Sequence, residues 1–161
     1  MVYNEIVESH AMAHGGKMTL NKFSVSAHLD YSPESIDSFI SFCEGLIAHI
    51  TDDAGARYLL KNAVDELTVN AMEHGYLKQP GEIKVSIEHQ EGKIYLEIAD
   101  QGIGINPSAV RMDREARTEE DLKPGGWAMA ILNRISNGIS IRTNHPRGAI
   151  VSLSIPIPFN P

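Results

Sequence analysis

The chain has 161 residues, 14 of them Lys or Arg and 21 Asp or Glu, giving a net charge of −7 and a pI near 5.4. That length fits one domain with a sizeable core rather than a two-domain enzyme, and the acidic balance disfavours nucleic acid and anionic membrane as partners. Hydrophobic residues make up 42%, aromatic 6% and charged 22%, ordinary values for a globular fold that exclude disorder throughout.

A lone Cys43 permits no intrachain disulfide, and no run of roughly 18 apolar residues could span a bilayer. Met1 to Lys17 lacks the basic and apolar regions of a signal peptide, so a reducing, cytoplasmic setting is expected. The same stretch, residues 1–17, is polar and shows no sustained period; it reads as an N-terminal extension ahead of a domain over residues 18–161. His10 and His14 have the spacing of a metal-binding helix but lack the Glu of a His-Glu-x-x-His site, and they read as exposed histidines. Gly15-Gly16-Lys17-Met18 lacks the Ser or Thr of a Walker loop.

Loose alternation of Leu20, Phe23, Val25, Ala27 and Leu29 predicts a half-buried strand over Thr19–Leu29. Ser32 and Pro33 then start a helix that carries Ile36, Phe39, Ile40, Leu46, Ile47 and Ile50 on one face. Asp52 or Asp53 caps a second helix running to about Gly75, where Gly-Tyr-Leu-Lys-Gln-Pro-Gly ends it. Strands over Glu82–His89 and Lys93–Ala99 are joined by Glu91-Gly92 as a hairpin. Gln101–Pro124, about 24 residues of Gly, Pro and charge, is long for a connection and reads as a candidate lid. A third helix, about Gly126–Ser136, precedes strands over Gly138–Thr143 and Ala149–Ile155 that flank an Asn144–Gly148 turn. The order βααββαββ predicts an α+β fold, a two-layer sandwich whose mixed, mostly antiparallel sheet carries its helices on one face.

Three short segments bear chemistry. On the second helix, at about 100° per residue, Leu60, Ala63, Val64, Leu67 and Ala71 form an apolar stripe with Glu66 and Asn70 along its border. A carboxylate there suits proton acceptance from a hydroxyl, and an amide oxygen suits Mg²⁺ beside phosphate; a solvated polar edge is the plainer alternative. Asp100-Gln101-Gly102-Ile103-Gly104-Ile105 follows a strand directly. Its carboxylate offers an acceptor for an amino group, and its glycines permit positive φ and close approach of a ligand, although a capped tight turn explains the pattern as well. Lys123-Pro124-Gly125-Gly126-Trp127-Ala128 leads into the third helix, placing small residues and free N–H groups where phosphate binds; a flexible loop is the alternative.

In this order, Glu66-x-x-x-Asn70, Asp100-x-Gly102-x-Gly104 and the Gly125-Gly126 helix start resemble the N, G1 and G2 boxes of the GHKL (Bergerat-fold) ATPases. Asn70-Ala71-x-x-His74-Gly75-Tyr76 is most similar to the bacterial anti-sigma factor serine/threonine kinases among them, over about Thr19 to Ile155. The resemblance implies an ATP site in which Glu66 is the general base, Asn70 the Mg²⁺ ligand and Asp100 the adenine contact. Gly102, Gly104 and Ile105 would line the nucleotide, and Gly125 and Gly126 would face its phosphates. It implies the cofactors ATP and Mg²⁺, phosphorylation of an anti-anti-sigma (STAS) protein, and sequestration of a sigma factor. A homodimer is also implied, formed through the N-terminal strand, whose edge offers unpaired backbone groups, and the first helix. Two positions depart from the family pattern: Ala128 replaces the second Gly of its Gly-x-Gly, and Gly148-Ala149 replaces its Gly-Thr. Both favour an alternative, a non-catalytic regulatory module that acts by partner binding with weak or no ATP binding.

Overall fold

A computed structural model describes residues 2–6, 10–14, 17–104, 132, 136 and 138–158, with side chains from Leu20 onward. The strands are β1 (Val2–Ile6), β2 (His10–His14), β3 (Lys17–Leu29), β4 (Gly81–Gln90), β5 (Lys93–Asp100), β6 (Ile139–Thr143) and β7 (Ala149–Pro156); the helices are α1 (Pro33–Ile50) and α2 (Ala54–Asn70), and a π-helical turn (Ala71–Gly75) extends α2. They form one sheet in the order β1-β3-β4-β5-β7-β6, with β2 also on β3. Every pairing among the described residues is antiparallel.

Period-two patterning decides which face is covered. Phe23, Val25, Ala27 and Leu29 of β3, Ile83, Val85 and Ile87 of β4, and Ile94, Leu96 and Ile98 of β5 are all buried. They lie under α1, which packs on β3 and β4, and α2, which packs on β5. The opposite phase is polar: the register aligns Ser24, Ser86, Glu97, Ser152 and Ser140 in one row across five strands. These residues line an open concavity of about 670 Å³ on that second face. A sheet apolar on one side and polar on the other calls for a single helical layer.

Local chemistry sets the boundaries. Ser32 Oγ accepts from the Ser35 N–H at 3.2 Å with Pro33 in the first turn of α1. Asp53 is the α2 cap, its Oδ1 accepting from the Ala56 N–H at 2.8 Å. Asp52 instead pairs with Arg57 at 2.8 Å. Glu91 and Gly92 both have positive φ, 52° and 71°, as a two-residue hairpin requires. Cys43 is buried in α1, and burial pushes its thiol up to about 12.

Within the stretch read as a polar extension, residues 2–6 and 10–14 are strands. β1 pairs with Ala27 and its neighbours, and β2 with residues from Lys17 to Lys22, so together they line one side of β3. The Thr19–Leu29 strand is therefore interior, and the edge invoked for a homodimer is already paired. His14 pairs with Lys17 across Gly15-Gly16, a dipeptide typical of two-residue hairpins. His10 and His14 lie on a strand, where four residues span about 13 Å, so a helical metal pair is not formed. The candidate lid from Ile105 onward, Gly125, Gly126 and Ala128 lie outside the described residues. Of the expected third helix, Leu132 is buried and its carbonyl accepts from the Ser136 N–H at 2.9 Å, one helical turn on.

Phe39 is wholly buried between α1 and the sheet. Phe39→Ala should cost about 3–5 kcal/mol, read as a lower urea midpoint with an unchanged slope; an unchanged midpoint would contradict this core.

Candidate functional site

The apolar stripe of α2, Leu60, Ala63, Val64, Leu67 and then Ala71, is buried, which holds Glu66 and Asn70 at the core's margin, both half-buried. Asn70 Nδ2 donates to Glu66 Oε1 at 3.2 Å. That bond orients the amide and leaves Asn70 Oδ1 without a hydrogen bond among the described residues. Burial pushes the Glu66 carboxyl above the ordinary carboxylate range; the Asn70 bond opposes this, and the charges of Asp65 and Glu73 add to it. A half-buried carboxyl group thus stands beside an amide oxygen that has no hydrogen bond among the described residues.

Beyond Asn70 the helix widens. The Tyr76 N–H reaches back five residues to the Ala71 carbonyl at 2.9 Å, and the Lys78 N–H reaches the Met72 carbonyl at 2.9 Å. Such turns are rare and recur at functional sites. Here the widened turn ends at Gly75, whose carbonyl accepts from the Ile103 N–H at 2.9 Å. A Cβ on Gly75 would lie 3.1 Å from Asp100 Oδ1. One continuous element thus carries Glu66, Asn70 and the backbone that abuts Asp100.

Asp100 ends β5 in the same phase as Ile94, Leu96 and Ile98, and is only 4% exposed. A carboxylate in a core position must be satisfied. Its Oδ1 accepts from the Gly102 N–H at 2.8 Å and the Ala149 N–H at 3.4 Å. Oδ2 has no hydrogen bond among the described residues, so one acceptor remains for a ligand's amino group. Burial raises the Asp100 carboxyl above its ordinary value, and the two N–H groups act against that shift. The main-chain carbonyl of Asp100 accepts from Asn144 Nδ2 at 2.7 Å.

Glycine at 102 is required for closeness, since a Cβ there would stand 2.2 Å from the Gly75 carbonyl oxygen. Of the two glycines that permit positive φ, 102 and 104, Gly104 alone adopts it, at 86°. Gly148 meets both demands, with φ 105° and a Cβ position 2.0 Å from the Asp100 carbonyl oxygen. Asp100 and Gly102 thus abut Gly75, Gly104 lies against Gly148, and Glu66 and Asn70, bonded to each other, precede Gly75 on the same helical element. Ile105, Gly125 and Gly126 lie outside the described residues. Gly75, Tyr76, Asn144 and Gly148 join the site although their sequence pattern assigns them no role in it: Gly75-Tyr76 stands in the motif that resembles the family, Gly148 in the family's Gly-Thr position, and Asn144 in a turn.

Asn70 Oδ1, a neutral oxygen without a hydrogen bond among the described residues, is a donor of the type suited to magnesium. Mg²⁺ characteristically takes one or two protein oxygens and completes its shell with phosphate and water.

Glu66 and Asp100 hold protons more tightly folded than unfolded. Their stabilising contribution is therefore complete below the unfolded carboxylate pKa, about 4, and is lost as pH rises through the raised folded values. In thermal melts without nucleotide, Glu66→Gln and Asp100→Asn should unfold above wild type at pH 7, with the gap closing below pH 4; lower melting at pH 7 would refute this.

The model of the family described as "Histidine kinase-like ATPase domain" matches residues 29–155. An anti-sigma F factor of Clostridium botulinum (strain Eklund 17B / Type B) is 27% identical over 138 residues, 85% of this chain and 92% of that protein. The anti-sigma F factor of Bacillus subtilis (strain 168) is 22% identical over 139 residues, 86% of this chain and 90% of that protein. Among solved structures, the histidine kinase domain from the Erythrobacter litoralis EL346 blue-light activated histidine kinase superposes with a TM-score of 0.52 at 15% identity. That match covers 76% of this chain and 61% of the solved one, a likeness of fold. With the Glu-Asn helix and the Asp-Gly strand end in place, the chain belongs to the histidine kinase-like ATPase domain family of the GHKL superfamily.

Proposed function

We propose that this protein is a serine/threonine kinase of anti-sigma type, which transfers the γ-phosphoryl of Mg-ATP to an anti-anti-sigma (STAS) protein and, in its other state, sequesters a sigma factor. The observation that supports this reading is that the helix bearing the bonded pair Glu66 and Asn70 runs on into the turn whose Gly75 abuts Asp100. The anti-sigma F factors, matched over nine-tenths of their length, supply the partner class. A cytoplasmic setting and a homodimer belong to the same reading. The chain's outer edge for such a dimer is β1 and β2 rather than β3.

Asp100 Oδ2 accepts the adenine amino group, and Glu66 takes the proton of the attacking Ser or Thr hydroxyl. The bond from hydroxyl oxygen to γ-phosphorus forms as the bond from that phosphorus to the β,γ-bridging oxygen breaks, and ADP leaves. Asn70 Oδ1 would hold the magnesium. When bound, that ion supplies neutralisation of phosphate charge. Burial that raises the Glu66 carboxyl makes it a better proton acceptor than an exposed glutamate.

A second reading, partner binding with weak or no ATP binding, is favoured by Ala149. Buried at 1% exposure, it offers Asp100 its N–H and no hydroxyl.

Calorimetry and intact-mass measurement of a STAS partner separate the two. Glu66→Ala should leave ATP binding within a few-fold while slowing transfer by about 10²–10⁴. Asn70→Ala should weaken Mg²⁺-dependent binding and transfer together. Equal phosphorylation by wild type and Glu66→Ala would remove the base assignment. No transfer to any STAS partner tested would turn the preference to the second reading, and no heat at millimolar nucleotide would end the nucleotide site and leave the second reading in the lead.

A further inference from the structure

Three successive backbone N–H groups follow Asp100, and each is tied to a different anchor. Gln101 donates to the Tyr76 hydroxyl at 2.8 Å, Gly102 to Asp100 Oδ1 at 2.8 Å, and Ile103 to the Gly75 carbonyl at 2.9 Å. The first anchor is the only side chain of another element among the three. Tyr76 OH donates in turn to the Glu82 carbonyl at 2.7 Å, so both its donor and an acceptor lone pair are committed. Its ring lies against the start of β4, where a Cβ on Gly81 would stand 2.4 Å from ring carbons. Tyr76 therefore braces the peptide after Asp100 against β4, and the brace is built into the widened turn itself.

This brace bears on how many oxygens Asp100 can show a ligand. While the loop is held, its Gly102 N–H occupies Oδ1 at 2.8 Å, with the Ala149 N–H of β7 at 3.4 Å besides, which leaves Oδ2 as the acceptor without a hydrogen bond among the described residues. Adenine presents one exocyclic amino donor next to a ring acceptor. Guanine presents two adjacent donors, N1–H and the 2-amino group, which a carboxylate matches only when both oxygens are available, and a 6-oxo acceptor besides. A one-oxygen carboxylate thus favours adenine, and a released one accommodates guanine.

We propose that Tyr76 is the positioning residue for base selectivity: by pinning the Gln101 peptide to β4 it keeps Asp100 a one-oxygen acceptor, which selects adenine over guanine nucleotides. The inference rests on the nucleotide reading of the site and deepens it. Selectivity built on a committed polar contact is steep, because the wrong partner leaves polar groups unpaired.

The test is equilibrium binding of Mg-ATP and Mg-GTP to the full chain, reported as the ratio of the two affinities. Tyr76→Phe removes the hydroxyl and should lower the ATP:GTP ratio by at least about tenfold. Gly81→Ala, which displaces the ring instead, should lower it in the same direction. In an Asp100→Asn background, Tyr76→Phe should produce no further change in the ratio, since both act through the same carboxylate. Tyr95→Phe, on the polar face of the sheet, should leave the ratio at its wild-type value. A purely structural role for Tyr76 would weaken both nucleotides alike and keep the ratio constant. A wild type that prefers ATP, with a Tyr76→Phe ratio within twofold of it, overturns the proposal alone. A wild type that binds neither nucleotide overturns the nucleotide reading and the proposal with it.

Discussion

A carboxylate occupies an apolar position. Asp100 stands where the alternation of β5 calls for a fourth buried aliphatic side chain, after Ile94, Leu96 and Ile98. Burying a carboxyl group in such a place is costly unless hydrogen bonds satisfy it, and the surrounding backbone is arranged to do so. The chain after β5 folds back to present the Gly102 N–H, and the start of β7 presents the Ala149 N–H. Both approaches are so close that side chains at 102 and 148 would collide with main chain. The site's geometry follows from satisfying one oxygen of one residue and leaving the other.

The helical half of the site answers to the same constraint. The π turn past Asn70 sets Gly75 against Asp100 and hands its carbonyl to Ile103. The widened turn therefore couples the helix margin, with Glu66 and Asn70, to the strand end. Both carboxyl groups are held above their ordinary values by burial, so the site stores a cost that the aliphatic core of β3, β4, β5 and α1 offsets. Residues that bind or react are commonly placed at the expense of stability.

The layered architecture separates roles by face. Helices and site occupy the apolar phase of the sheet, while the second phase is a field of serines with Glu97 in its middle and Arg142 paired to it. At the N-terminal side, β1 and β2 lie along β3 and remove it from the edge.

Much of this was legible in the amino-acid sequence. Alternation marked β4, β5 and β7, Glu91-Gly92 marked their hairpin, Ser32-Pro33 and an Asp pair marked the helix starts, and the helical stripe placed Glu66 and Asn70 at its border. These signals depend on residues within a turn or a strand of one another, where local propensity and period apply. The superfamily was legible for the same reason, since its boxes are short and contiguous. Tertiary structure alone decided that residues 2–6 and 10–14 are strands, being short, half-polar and paired with β3. It alone decided that Gly102 serves closeness rather than positive φ, that the helix widens at Ala71, and that Tyr76, Asn144 and Ala149 serve Asp100 and its loop. Those last contacts join residues 25, 44 and 49 positions apart in the chain. A pattern read over one helix or strand holds no information about which distant N–H or hydroxyl will reach a buried carboxylate, because that depends on how the layers pack.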